Sequence, residues 1–421
     1  MIQKPKGTYD VNGEYGKNLL FLRRTIEDLM KSYNFQYVRT PIFESSELFH
    51  RGVGETTDIV SKETYDFLDR SERPMTLRPE GTAGIARSFI ENKMYGDASQ
   101  PVKAWYYGSM FRYERPQSGR FREFTQFGVE VFGSTDPLMD AEVISIPVNL
   151  YKKLGLKGIK VHLNTLGDME SRMNYRQALL DYFKPHIDSL CEDCRSRYEK
   201  NPLRILDCKV DGALDIMRNC PKISDYLNEA SVNHFKAVCD YLDSMGISYV
   251  IDENLVRGLD YYTHTVFEVE ADIEKFGSQK VLCGGGRYDN LVENIGGPSV
   301  SGVGFATGIE RLMTALEYEN ILPFESKGLD IYVIPMSSNE KKFCMNLVNE
   351  LRYKGISVDM DYMDRNIKSN FKQADRLNAS YVIIVGEDEV KNSKLTIKNN
   401  KTQEQEIVDL EKVYDYFNTV L

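Results

Sequence analysis

Apolar and polar positions alternate along this chain with two periods, and the switch between them marks out its elements. Over residues 15–33, Leu19, Leu22, Ile26, Leu29 and Met30 recur at helical spacing, with Arg23, Arg24, Glu27 and Asp28 on the other side, so a helix is expected there. Residues 36–39 read as a short strand, and Pro41 in the following Thr40–Glu44 run, lacking an N–H, belongs at an edge, a bulge or an interface. Residues 52–69 are polar and hold Gly and Thr, which suggests a mobile loop leading into a hairpin. Leu77-Arg78-Pro79 should be extended, and Glu80-Gly81-Thr82 a turn opening a helix over 83–91.

The period then changes to two. Residues 105–110 lead into a hairpin whose second strand spans 124–132. Phe124, Gln126, Gly128, Glu130 and Phe132 share one face of it, and Thr125, Phe127, Val129 and Val131 form the face expected to be buried. Gly128 leaves open space between the aromatics. Helices are expected over 140–154, 168–183 (capped by Asp168) and 232–245, and a strand over 160–164. In residues 255–271, Tyr262, His264, Val266 and Glu268 should share one strand face. Cys283–Asp289 reads as a glycine run entering a polar turn, and 302–317 as a glycine-punctuated strand passing into a helix that presents Arg311 near its start. After a linker at 323–328 the pattern becomes βαβαβ, two further strands and a last helix, a compact α/β unit of its own.

Residues 185–230 differ in texture: charged, short-periodic and without a strong strand, as expected of an inserted helical module. They carry Cys191, Cys194, Cys208 and Cys220, which could hold zinc as four thiolates; reduced structural cysteines are the favoured reading, because neither Cys208 nor Cys220 belongs to a second CxxC knuckle.

Composition bounds the function. The chain has 421 residues, 42% hydrophobic and 28% charged, enough for two or three domains. A net charge of −10 argues against general nucleic-acid coating but leaves room for a local basic patch, such as the helical stripe Arg365, Lys368, Lys372 and Arg376, which a solvated helix back explains equally well. The polar start has no signal-peptide core, no apolar run approaches a membrane span, and seven cysteines do not suggest a disulfide scaffold, so a cytoplasmic protein is expected. Arg112, Arg115, Arg120 and Arg122 beside a face that pairs Gln126 with Glu130 suit a ligand with both an ammonium and a phosphate; a solvated hairpin is the alternative.

Taken together, these stretches resemble the class II aminoacyl-tRNA synthetases, and within them the histidyl-tRNA synthetase family. Thr40–Glu44, Phe111–Gly133 and Gly304–Arg311 are similar to the three class motifs. Arg257-Gly258-Leu259-Asp260-Tyr261-Tyr262 and Cys283-Gly284-Gly285-Gly286-Arg287-Tyr288-Asp289 resemble the two histidine-specific signatures. The likeness covers essentially the whole chain; departures are Lys6 where Arg is expected and Asn290 where Gly is usual.

The resemblance implies an α+β protein. A class II catalytic domain on an antiparallel sheet (1–325, insertion about 185–230) would be followed by an α/β anticodon-binding domain (329–421), in a homodimer joined largely through the first motif. It implies ATP-dependent activation of L-histidine to histidyl-adenylate, with Mg2+ bridging the phosphates, then transfer to the 3′ end of tRNA(His). The implied roles are Arg112 and Arg257 on the α-phosphate, Phe124 stacked on adenine, and Arg311 on the γ-phosphate or adenine face. Glu80, Thr82 and Gln126 would hold the ammonium, and Glu130 and Tyr262 the imidazole nitrogens, with Tyr261 in the pocket wall. The rival expectation is a non-catalytic paralogue that senses histidine as a regulatory subunit; it would be expected to lack the C-terminal domain and the arginine set.

Overall fold

A computed structural model describes the chain except residues 55, 56, 58, 116–118, 209, 278, 279 and 325–327. It divides into two units, Met1–Phe324 and Glu325–Leu421. In chain order the first unit contains strands β1 (Gln36–Tyr37), β2 (Phe43–Ser45), β3 (Tyr65–Leu68), β4 (Pro74–Leu77), β5 (Val102–Phe111), β6 (Glu123–Phe132), β7 (Ile159–Thr165), β8 (Tyr249–Ile251), β9 (Thr263–Ala271), β10 (Val281–Arg287) and β11 (Gly302–Gly308). Eight of them form one sheet in the order β1-β5-β6-β11-β10-β9-β7-β8, and β2-β4-β3 form a small second sheet. From β5 to β7 every neighbouring pair is antiparallel, with parallel partners only at the two edges, β1 and β8.

The two faces of the large sheet have opposite chemistry, and the strand period of two sorts them. One face carries Trp105, Phe127, Val129, Val131, Val303, Phe305, Phe267, Val269, Val161 and Leu163, all buried. Against it pack the helices Gly13–Ser32, Pro137–Lys153, Glu229–Ser244 and Ile309–Tyr318. Leu22, Ile26 and Met30 of the first helix are fully buried, as their spacing predicts. Pro137–Lys153 is apolar nearly all round because it lies over the centre of the sheet; Asp136 caps it, and Pro137 sits at its first turn, where a missing N–H costs nothing.

The other face is hollow. Registered across its middle are Gly128–Ala306–Gly284 and Glu130–Gly304–Gly286, with Gly302 and Gly308 completing the same face of β11. Cys283–Asp289 is more than a turn approach: residues 281–287 form a central strand with partners on both sides, and the turn follows it at 289–290. Glycine lowers strand propensity, but two flanking strands here satisfy its backbone and override that preference.

A second correction lies at the entrance to β9. His264 has φ +44 and breaks the alternation, with a register shift in the β9–β10 pairing. Tyr262 packs beside Gly286 on the hollow face, whereas His264 lies 5.0 Å from the His234 ring on the other side, so the two do not share a face.

The segment Lys184–Tyr226 is a run of short helices and 3₁₀ turns, in keeping with the helical module expected there. The stretch 52–69 contributes two π-helical turns, His50–Gly54 and Ile59–Glu63, and then β3.

The second unit is a five-stranded sheet, with β12 (Ile331–Pro335), β13 (Val358–Met360), β14 (Tyr381–Val385), β15 (Lys394–Asn399) and β16 (Gln405–Asp409) in the order β13-β12-β14-β15-β16. Parallel pairing joins the first three, as βαβαβ requires, and β15 and β16 add antiparallel. A helix at Glu387–Asn392 is an addition to the expected elements. In the stripe helix Ile367–Arg376, Lys368, Lys372 and Arg376 are exposed, but Arg365 precedes the helix and is ion-paired to Asp361 at 2.7 Å.

Candidate active site

The hollow face fills with large polar side chains, and each occupies space that a missing Cβ provides. A Cβ on Gly304 would collide with the Glu130 carboxylate, one on Gly284 with the Arg257 guanidinium, and one on Gly128 or Gly81 with the Tyr106 ring. Gly128 is thus not a gap for substrate: Tyr106, its cross-strand partner on β5, lies over it. Tyr106 was not anticipated, because only the strand register brings it to this place.

Glu130 is completely buried on β6. Thr82 Oγ1 donates to one of its oxygens at 2.7 Å, and the Tyr288 hydroxyl donates to the other. Burial pushes its carboxyl up to about 8; the Thr82 and Tyr288 hydrogen bonds oppose that rise, and nearby Glu80 adds to it. Glu80, also buried, accepts the backbone N–H groups of Thr82 and Ala83 at 2.8 Å each, so its carboxylate caps the helix Thr82–Glu91 as well as facing the site. Tyr261 and Tyr262 are buried with ring centroids 4.7 Å apart, and Tyr261 meets Tyr288 at 5.5 Å. Tyr288 lies in the glycine-rich signature but had been given no role; its buried hydroxyl on Glu130 makes it part of the pocket. Among the described residues the Tyr106 hydroxyl and Gln126 Oε1 find no protein partner, two buried polar atoms that a ligand N–H would satisfy.

Beyond Gln126 the face opens into a cleft of about 420 Å³. Arg112, Glu114, Arg120, Phe124, Arg204 and Arg311 are among its lining residues. Arg112 is aimed by its Nε bond to Pro79 O at 2.9 Å, and its guanidinium lies 5.3 Å over the Phe124 ring. Arg311, in the first turn of Ile309–Tyr318, is aimed by an Nε bond to Val281 O at 2.6 Å and covers Phe276 at 4.8 Å. Arg257 is ion-paired to Glu268 of β9, directly over Gly284. Asp260, in the same turn, accepts the Asn201 amide at 2.6 Å. Arg122 is turned away, its guanidinium 3.9 Å over Tyr113.

The structure therefore brings Glu80, Thr82, Gln126, Glu130, Tyr261 and Tyr262 into one polar pocket, and sets Arg112, Phe124 and Arg311 around the adjoining cleft. The four-cysteine set that the spacing allowed, the less favoured reading, is not assembled. Cys191, Cys194 and Cys208 converge, but the fourth group beside them is Asp211, and Cys220 stands apart with burial pushing its thiol up to about 12.

An antiparallel six-strand core carrying a phosphate-sized arginine cleft, followed by a separate βαβαβ unit, defines a class II aminoacyl-tRNA synthetase. Residues 7–312 match the family described as Histidyl-tRNA synthetase, and residues 330–419 match that described as Anticodon binding domain. A curated relative from Anoxybacillus flavithermus, named Histidine–tRNA ligase, is 52% identical over 420 residues, covering 100% of this chain and 99% of its own length. Another of the same name from a Geobacillus strain is 53% identical over 415 residues, covering 99% and 98%. The crystal structure of apo Staphylococcus aureus histidyl-tRNA synthetase superposes with a TM-score of 0.86 at 43% identity, covering 99% of this chain and 100% of that one. The chain belongs to the histidyl-tRNA synthetase family.

Proposed function

We propose that the chain is a histidine–tRNA ligase that joins L-histidine to ATP as histidyl-adenylate, releasing pyrophosphate, and then transfers histidine to the 3′ end of tRNA(His). The observation that carries the substrate choice is the buried Glu130, flanked by Thr82 and Tyr288 and walled by Tyr261 and Tyr262. It is a buried polar cluster whose large side chains fill the space the glycines leave. An imidazole N–H donated to Glu130 and its second nitrogen met by Tyr262 would use both ends of the ring. Analogues lacking either nitrogen would leave a buried partner unpaired, discrimination of ~10⁴ or more in comparable polar sites. Glu80, Thr82 and Gln126 take the ammonium, Gln126 through its unpartnered Oε1.

Adenylation needs no proton to be moved, because the attacking carboxylate is already ionised. As its oxygen bonds to the α-phosphorus, the bond to the pyrophosphate oxygen breaks, and negative charge builds on the α-phosphate oxygens. Arg112 and Arg257 meet that charge from two sides, Arg112 tethered at Nε by Pro79 O and Arg257 held by Glu268. Phe124 stacks on adenine once Arg112 turns from its ring to phosphate, and Arg311 holds the γ-phosphate or the adenine face. Glu63 and Glu114 line the cleft and fit a hard cation such as Mg2+, which would enter on the triphosphate and neutralise its charge. Arg120, in the same lining, suits phosphate or the tRNA acceptor end.

Two features extend the reading to partners. Tyr37, Ile42, Phe43, Phe67 and Leu68 expose apolar surface around the first motif, which supports a homodimer formed there. The second unit, matched as an anticodon-binding domain, supports tRNA recognition, which a histidine-sensing regulatory subunit would not need. No helix among the described residues is long and apolar enough to cross a membrane; the enzyme is proposed to work in the cytoplasm.

The test is pyrophosphate exchange into ATP with each amino acid, followed by charging of total tRNA. Histidine alone should support exchange and tRNA(His) alone should be charged. Exchange without histidine, or activation without charging, would refute the assignment. Arg257→Ala should lower exchange at least a hundredfold with the fold intact, the size expected for loss of one transition-state charge partner, ~3 kcal/mol.

A further inference from the structure

The helical insertion carries a second cluster of chemistry-bearing side chains, one the substrate site does not use. Sγ of Cys191, Cys194 and Cys208 and a carboxylate oxygen of Asp211 all lie within 4.8 Å of one another. Cys194, Cys208 and Asp211 are buried, and Cys191 is half-buried. The Cys191 and Cys208 sulfurs are 3.8 Å apart. A tetrahedral zinc ion with thiolates at about 2.3 Å holds its sulfurs about 3.8 Å apart, whereas a disulfide would need about 2 Å. Three sulfurs and one carboxylate in a four-point cluster select zinc over harder cations.

We propose that Cys191, Cys194, Cys208 and Asp211 bind one zinc ion that braces the substrate-site loop Arg257–Asp260. The sequence spacing is that of two matched knuckles, Cys191-x2-Cys194 and Cys208-x2-Asp211, with a carboxylate in place of the last thiolate. The outer contacts already orient the donors. The Asp211 carboxylate accepts the Cys191 N–H at 3.0 and 3.2 Å, and Cys208 Sγ accepts the Asp211 N–H at 3.4 Å. Between the knuckles run residues 195–207, whose two ends the metal fixes. From that span Arg204 donates to the Gly258 carbonyl at 2.9 Å and Asn201 to Asp260 Oδ1 at 2.6 Å, both in the turn that directly follows Arg257. The metal holds the clamp, and the clamp holds the loop. This inference stands on the insertion's own geometry and does not depend on which amino acid the enzyme activates.

The test uses the full-length chain, purified reduced, with zinc in the growth medium and no chelator. Elemental analysis should find one zinc per chain in the wild type and in Cys220→Ser, and at least tenfold less in Cys194→Ser and Cys208→Ser. Because loss of a thiol can unfold the insertion, the wild type is also read directly. Cobalt(II) added to metal-free protein should give the visible absorption of a tetrahedral thiolate site, displaced by zinc. Stripping zinc should speed hydrogen exchange at residues 195–207 and at 257–260 while leaving 329–421 unchanged. Reduced wild-type protein that takes up neither zinc nor cobalt overturns the proposal. So does equal zinc loss in Cys220→Ser, or a native mass two hydrogens short from a Cys191–Cys208 disulfide. Unchanged exchange at 257–260 on stripping overturns the bracing role.

Discussion

The raised carboxyl of Glu130 makes the stability of the first unit depend on pH in a direction opposite to that of an ordinary ion-paired acid. Burial lifts Glu130 from 4.5 to about 8, so between those values the folded chain holds a proton that the unfolded chain has released. Stability must therefore fall as pH rises through that window and level off above about 8. The full span, at 1.36 kcal/mol per pKa unit, amounts to about 5 kcal/mol, of which about 3 kcal/mol is lost between pH 6 and pH 9. Glu130→Gln removes the ionisation and keeps the shape, and its amide can serve both Thr82 and Tyr288. Trp105, the only tryptophan, sits on β5 against the core face, so its fluorescence follows unfolding of this unit. Urea titrations of both proteins from pH 6 to 9 should show the wild type losing about 3 kcal/mol relative to the variant. Saturating histidine should flatten the wild-type slope, because an imidazole N–H favours the carboxylate, and Glu130→Gln should bind histidine at least tenfold more weakly. Parallel pH profiles for the two proteins would show that Glu130 ionises normally and would refute the reasoning.

Three further expectations are accessible to the same preparations. Gly284→Ala puts a methyl where the Arg257 guanidinium lies; exchange should fall at least tenfold while the Trp105 unfolding midpoint stays near wild type. Asp140→Ala strands the buried Arg287, which it holds in an ion pair 1% exposed on the arginine side, and should cost about 3–5 kcal/mol of stability in the same urea titration. Replacing Lys368, Lys372 and Arg376 by alanine should raise KM for tRNA and shallow its salt dependence by up to about three counterions, with histidine-dependent exchange unchanged.

Periodicity made the core legible, and strand pairing is what it could not supply. The alternation over residues 124–132 correctly separated Phe127, Val129 and Val131 from Gln126 and Glu130, because one buried face fixes register. The helix Gly13–Ser32 and the Asp168 cap, which accepts the Ser171 N–H at 2.9 Å, were likewise visible in local pattern. The turn after Cys283–Asp289 was legible, but that its three glycines lie in a central strand was not, because flanking strands rather than local propensity hold them extended. Tyr106 went unseen for the same reason: nothing along the chain says that it crosses Gly128. His264 defeated a simple alternation because one residue at positive φ reverses the facing of its neighbours. Asp211 escaped because a search for a second CxxC knuckle does not look for a carboxylate in the last place.

The glycines that hollow one face are affordable only because of the other. Each glycine in a strand interior costs roughly 0.5–1 kcal/mol against alanine, and on the hollow face β10 and β11 carry Gly284, Gly286, Gly302, Gly304 and Gly308. On the opposite face of the same strands and their neighbours lie Val303, Phe305, Phe267 and Val269, each at most 2% exposed. Burying one such side chain contributes about 1.5–3 kcal/mol, so each core position offsets two or three glycines opposite. This division of labour assigns the two faces different mutational responses. Filling the hollow face displaces Arg257, Glu130 or Tyr106 and should remove activity before stability. Trimming Phe305 or Phe267 should unfold the sheet, and activity should fall only as folded protein is lost.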